Sequence, residues 1–187
     1  MALTAMFIML GGAYYYFSRV ALPNFRTTQK GVLYRSGQPR GVGLQFVKLY
    51  GIRTLINLRS SDDDSITEEK AFAAKNGLYF YNFPVGSSTA EIDETVQHFL
   101  AILADKSRWP ILVHCSWGEE RSGVLSAVYR MEYERWSNED ALAETYRLGL
   151  KIGSAPIKEN YIKNYRPHWP PSRNAHPKPS EDLPSVP

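Results

Sequence analysis

The stretch Pro110-Ile111-Leu112-Val113-His114-Cys115-Ser116-Trp117-Gly118-Glu119-Glu120-Arg121-Ser122-Gly123 decides the fold. It begins as a short continuous apolar run, the pattern of a buried strand. It ends where a helical pattern starts, running from Ser122 to Trp136. A loop between a strand end and a helix start turns several backbone N–H groups toward one point, which suits an anion. The same field favours a thiolate, so Cys115 is expected to have a depressed pKa and to be a nucleophile. Arg121 can grip two oxygens of a phosphate at once, which a lysine cannot do. Gly118 permits a turn that a side chain would block. Ser122 places a hydroxyl where it can bond the thiolate or its leaving form. His114 and Cys115 are strand neighbours and point to opposite faces, so they do not form a protease-style pair. His114 is instead expected to brace the loop through backbone hydrogen bonds. An inert core thiol is the common fate of a lone cysteine, but it accounts for none of the His, Gly, Arg and Ser around this one.

Outward from the loop, short apolar runs alternate with helical patterns. Strands are expected at Val32 to Tyr34, Arg53 to Leu58, Leu78 to Phe83 and Pro110 to His114. Helices are expected at Gly43 to Tyr50, Ile66 to Lys75, Glu91 to Lys106, Ser122 to Trp136, Glu139 to Leu148 and Ile157 to Tyr165. The clearest helix carries Ile92, Val96, Phe99, Leu100 and Leu103 on one face, and Ser88 with Glu91 reads as its capping box. The alternation means an α/β domain, a central mainly parallel sheet flanked by helices, with ligands at the strand carboxyl ends.

The two ends differ from this middle, and three segments are expected: an anchor and juxtamembrane stretch over 1–29, the catalytic domain over 30–166, and a flexible tail over 167–187. Leu3 to Phe17 reads LTAMFIMLGGAYYYF, and residues 1–18 carry no side-chain charge. That run is borderline against the ~20 apolar residues of a spanning helix. Tyr14, Tyr15 and Tyr16 suit an interfacial belt, and Arg19, Arg26 and Lys30 follow, so a single N-terminal membrane anchor with a cytoplasmic domain is expected, a periplasmic domain being the alternative. A signal peptide fits less well, since a basic start and a small-residue cleavage site are both missing. The tail holds seven of the 12 prolines and cannot bury enough surface to offset its ordering.

Composition narrows the function. The 187 residues hold 22 basic and 19 acidic side chains, a net +3 without a clustered basic excess, which argues against nucleic acid as a partner. The single cysteine excludes internal disulfides and a Cys-rich zinc site. Asp62, Asp63 and Asp64 lack calcium-loop spacing and read as a solvated turn. Arg35 and Arg59, near strand ends, read as members of structural ion pairs.

The loop resembles the His-Cys-x5-Arg-Ser/Thr signature of the cysteine-based protein tyrosine phosphatases. Leu33-Tyr34-Arg35-Ser36-Gly37-Gln38-Pro39, Gly51-Ile52-Arg53-Thr54-Leu55-Ile56-Asn57-Leu58-Arg59 and Trp136-Ser137-x-Glu139-x-Ala141-Leu142 are similar to segments of the small bacterial, fungal and plant dual-specificity-like members. The resemblance spans about residues 30–150. It implies a tyrosine-phosphatase-like fold and a phosphomonoester hydrolase working through a phosphocysteine, with no metal and no cofactor. Cys115 would be the nucleophile, Arg121 the phosphate clamp and Ser122 the aid to intermediate breakdown. Ser116, Trp117, Gly118, Glu119 and Gly123 would line the substrate. A Glu-Arg at the loop end is also similar to the rhodanese-like phosphatases, but Gly118 and Ser122 fit the tyrosine-phosphatase loop better.

The chain departs from that family at the general acid. The loop Pro84-Val85-Gly86-Ser87-Ser88-Thr89, where an Asp is usual, has no carboxylate. Glu91, Asp93 and Glu94 lie in the next helical turn, where capping is the ordinary role. Glu120, beside Glu119 and a bound phosphate, would feel like charge that keeps it protonated. Glu120 is therefore the expected acid, with Asp93 in reserve. None of the loop's variable positions is basic, so a singly phosphorylated ligand, a phosphorylated protein or a small phosphomonoester, is expected before a polyphosphate. Two alternatives remain: a lipid-phosphate phosphatase, acting for example on phosphatidylglycerol phosphate, and a non-catalytic phosphopeptide-binding module.

Overall fold

The computed structural model describes residues 2–60 and 64–168. Asp62 and Asp63 of the expected turn, and the tail beyond His168, lie outside the described residues. Helix α1 (Ala2–Tyr16) runs into one π-helical turn (Phe17–Ala21). Then come β1 (Arg26–Gln29), β2 (Leu33–Ser36), α2 (Val42–Leu49), β3 (Thr54–Asn57), α3 (Asp64–Asn76), β4 (Tyr79–Asn82), α4 (Thr89–Ala104), β5 (Ile111–His114), α5 (Arg121–Tyr133), α6 (Asn138–Arg147) and α7 (Pro156–Asn164). The expected α/β alternation is present, with boundaries shifted by a few residues. One strand was not foreseen. Strand β1 falls inside the stretch read as juxtamembrane, and its RTTQ sequence is too short and too polar to show a period.

The sheet has five strands in the order β1-β2-β5-β3-β4. Strands β2, β5, β3 and β4 run parallel, and β1 closes one edge antiparallel to β2. The central strand β5 is buried at every position. Side chains alternate across the pleat. Leu33, Ile56, Ile111 and Val113 face a core completed by α4, α5, α6 and α7. Tyr34, Leu55 and Leu112 face the smaller core under α2 and α3. The same alternation carries Cys115 into the first core and turns His114 toward α3.

The chain before β1 is built onto this second face. Phe17 packs edge-on against Phe46, and Phe25 stacks on Tyr34 with ring centroids 5.7 Å apart. Arg40 N–H donates to Ala21 O, and Gly37 N–H to Pro23 O. A Cβ at Gly43 would fall 1.9 Å from Ala21 O, so only glycine lets α2 approach this segment. Among the described residues no helix is long and apolar enough to cross a membrane. Helix α1 has 15 residues, about 22 Å at 1.5 Å per residue, against about 30 Å of hydrocarbon.

Candidate active site

Strand β5 ends at His114 and α5 begins at Arg121, leaving residues 115–120 as a loop over the carboxyl edge of the sheet. The loop is hung from β2, with Cys115 N–H donating to Ser36 O and Gln38 N–H to Ser116 O. Gly118 has φ +75°, and a Cβ there would meet Gly37 N and Ser36 C at 2.5 Å. Both the dihedral and the close approach require glycine. Gly123 serves the helix side, because a Cβ there would lie 2.7 Å from Thr145 on α6.

The Cys115 thiol lies at the centre of the loop, 3% exposed. Gly118 N–H points at its Sγ at 3.2 Å, and Ser122 Oγ lies 3.7 Å away. Burial pushes the thiol pKa up. Hydrogen bonding from the Ser122 amide and hydroxyl, the charge of Arg121 and the Gly118 amide together outweigh it and hold the thiol below its ordinary 9.0. Arg121 crosses the loop, donating to Leu58 O at 3.0 Å and to Ser116 Oγ at 2.9 Å. This places a guanidinium, the Gly118 and Ser122 amides and a thiol of lowered pKa around one point, an arrangement suited to binding a phosphoryl group and presenting it to sulfur.

Behind the loop, His114 Nε2 is 2.6 Å from Glu69 Oε1, and both side chains are fully buried. The contact is close but off the hydrogen-bond direction. The other Glu69 oxygen accepts from Asn57 Nδ2 at 2.7 Å and Gln38 Nε2 at 3.4 Å. The carboxylates near the loop part company. Glu119 Oε1 accepts from Asn24 Nδ2 at 3.2 Å, while Glu120 Oε2 is 3.7 Å from Lys158 Nζ.

Residues 16–162 match the family described as DSP-PTPase phosphatase fused to NAD+ Kinase. The chain belongs to this DSP-PTPase family. Among curated relatives, the inositol diphosphatase DSP3 of Arabidopsis thaliana is 31% identical over 133 residues, 68% of this chain and 64% of its own. A dual specificity protein phosphatase, TpbA of Pseudomonas aeruginosa, is 24% identical over 63% of this chain and 51% of its own. The chain thus spans less than two thirds of the length of these relatives. The core catalytic domain of the PP-IP phosphatase SIW14 from S. cerevisiae superposes with a TM-score of 0.65 at 22% identity, covering 79% of this chain and 88% of that one. That likeness establishes the tyrosine-phosphatase-like fold.

In this DSP-PTPase the loop gathers Cys115, Ser116, Gly118, Arg121, Ser122 and Gly123 as the spacing implied. Several expectations change. The His114 carbonyl accepts from Leu58 N–H at 2.9 Å, while the strand directs its ring to α3, where Glu69 meets it. Trp117, expected to line the substrate, is 66% exposed. Arg35 is not in an ion pair. Its guanidinium is buried against carbonyl oxygens of the loop. Asp93 accepts from Tyr161 Oη at 2.9 Å and lines a groove of about 420 Å³ with residues of α7, none of residues 115–120 among its walls. Glu91 closes the capping box with Ser88, and the hydrogen bonds from the Ser88 hydroxyl and amide and the Ser87 amide hold its carboxyl below the usual range. Glu69 is the site residue the sequence reading missed, and Arg35 is one it named but read as a member of an ion pair. Arg35 and the Glu69 partners Gln38 and Asn57 lie in the quoted family segments, which was the available signal.

Proposed function

We propose that the protein is a cysteine-dependent phosphomonoester hydrolase acting through a phosphocysteine. The observation that carries this is the buried Cys115 sulfur facing the Gly118 amide and the Ser122 hydroxyl, with its pKa lowered and Arg121 over the loop. The thiolate attacks phosphorus, the ester P–O bond breaks, and the leaving oxygen takes a proton from Glu120. Water then attacks the phosphocysteine, giving its proton to Glu120 and releasing inorganic phosphate and the thiolate. Arg121 and the loop amides hold the phosphoryl oxygens throughout, and Ser122 stabilises the departing sulfur. The names of the relatives support a phosphatase and diverge on the substrate, between inositol diphosphates and phosphoproteins.

The rim favours the singly phosphorylated aryl substrate. Glu119 and Glu120 repel a polyanion, and Trp117 of the same loop is exposed and open to an aryl ring. The test is turnover of a phosphotyrosine peptide and of an inositol diphosphate by wild type and Cys115→Ser. The expected result is hydrolysis of the peptide at the higher kcat/KM and none by the variant. Activity retained in Cys115→Ser overturns the mechanism. Tight peptide binding without turnover points to a binding module, and preference for the inositol substrate reverses the substrate choice.

A further inference from the structure

Among the described residues Arg35 is the largest fully buried side chain, 1% exposed, and it lies under the catalytic loop. Its fork is spent on main-chain oxygens. Nη2 and Nε both donate to Gly118 O, at 2.7 and 3.2 Å. Nη2 also reaches Glu119 O and Leu148 O, each at 3.3 Å. Among the described residues Nη1 has no partner, and it lies 3.6 Å from where a Cβ at Gly123 would sit. A buried guanidinium with no carboxylate against it is costly, so a cation held there calls for a reason.

The peptide geometry supplies one. A trans peptide is planar, and its C=O and N–H point in opposite directions. With Gly118 O turned onto Arg35, the Glu119 N–H faces away from it. With Glu119 O turned the same way, so does the Glu120 N–H. Among the described residues nothing accepts from either of these two amides. The amide of Gly118, next in line, already points at the Cys115 sulfur. Successive amides turned to one side form an anion-binding nest.

We propose that Arg35 is a positioning residue of the phosphate cradle. It grips the outer carbonyls of Gly118 and Glu119 so that the next two amides face the phosphoryl oxygens, and it brings a buried positive charge to the dianion and the thiolate. This role rests on the phosphatase reading of the Cys115 loop. Burial pushes the Arg35 pKa down to about 10, and the charges of Cys115, Glu144 and Glu119 oppose the fall.

The experiment compares full-length wild type, Arg35→Met and Arg35→Lys. Orthovanadate inhibition reads the cradle, the pH profile of iodoacetamide alkylation reads the Cys115 thiol, and thermal unfolding reads the fold. Arg35→Met is expected to weaken vanadate inhibition by roughly 10–100-fold, in line with loss of a charge-assisted fork, and to move the alkylation profile to higher pH. Arg35→Lys keeps the charge and loses the fork. It is expected to restore the alkylation profile while vanadate inhibition stays weakened, a split that packing loss alone does not produce. A folded Arg35→Lys with wild-type vanadate inhibition overturns the proposal. So does a folded Arg35→Met that matches wild type in both readouts. Wild type that neither hydrolyses an aryl phosphate nor responds to vanadate overturns the phosphatase reading and this role with it. Active wild type beside unaffected variants removes only the role of Arg35.

Discussion

A thiol that is 3% exposed would ordinarily be a poor nucleophile, because burial disfavours its ionised form. At Cys115 that penalty is offset by donors aimed at sulfur, chiefly those of Ser122. The sign follows directly: a depressed thiol pKa means thiolate persists as pH falls below the ordinary range, and loss of a donor moves the profile upward. Ser122→Ala is therefore expected to shift Cys115 alkylation to higher pH by about one unit, the scale of one hydrogen bond to a charged group. Single-turnover kinetics should also show phosphocysteine accumulating. An unshifted profile removes Ser122 from the thiolate's support. The acid is open to the same style of test. Glu120 stands in the loop with Lys158 at 3.7 Å, whereas Asp93 is bonded to Tyr161 on α7. Glu120→Gln should abolish the basic limb of the kcat profile and slow poor leaving groups by about 100-fold, while Asp93→Asn leaves both unchanged. The reverse pattern would transfer the role to Asp93.

At the level of elements, the loop works because two backbones touch. Gly118→Ala puts a Cβ 2.5 Å from the β2 backbone at a φ of +75°, so the β2 chain or the loop must move. A displacement near 1 Å at a phosphate site costs about 100-fold in rate. We expect that loss in kcat/KM, with far-ultraviolet circular dichroism unchanged. Farther out, α5 and α6 are clamped by Arg130, which pairs bidentately with Glu144 at 3.0 and 2.8 Å and also meets Glu134 at 2.6 Å. Removing one partner of a buried pair strands the other charge. Glu144→Ala is expected to lower unfolding free energy by about 3 kcal/mol in urea, and because Gly123 packs on Thr145 of α6, the loop should loosen with it. A cost near zero would mean that Arg130 finds its compensation in Glu134 and the Trp136 ring alone. These elements were legible in advance because their periods are long: α4 shows its apolar face over 16 residues and its capping box in four letters. Strand β1 was not legible, since four residues with one buried position carry no readable alternation.

Over the whole molecule, the chemistry was readable and its support was not. Cys115, Gly118, Arg121 and Ser122 sit within eight residues of sequence, so spacing alone gathers them. Arg35 reaches the loop from β2, and Glu69 of α3 meets His114 just before it, and only the sheet order brings them there. Asn24 is a third such case: at φ +50° its amide bonds Trp117 O and Glu119 Oε1, tying the loop to the segment that follows α1. That segment is anchored to the domain, while α1 itself leaves Phe7, Met9, Leu10 and Tyr15 more than half exposed. A helix apolar on all sides and carrying no charge favours hydrocarbon over water, whether or not it crosses a bilayer. The full chain is therefore expected to float with phosphatidylcholine–phosphatidylglycerol vesicles, and a chain starting at Phe17 to stay in solution. Phe17 and everything that holds the loop remain in the shorter chain, so both should hydrolyse an aryl phosphate with the same kcat/KM. A full chain that stays soluble and monodisperse without vesicles would show that α1 is covered by protein instead. A shorter chain with weakened catalysis would show that α1 acts on the loop through Asn24.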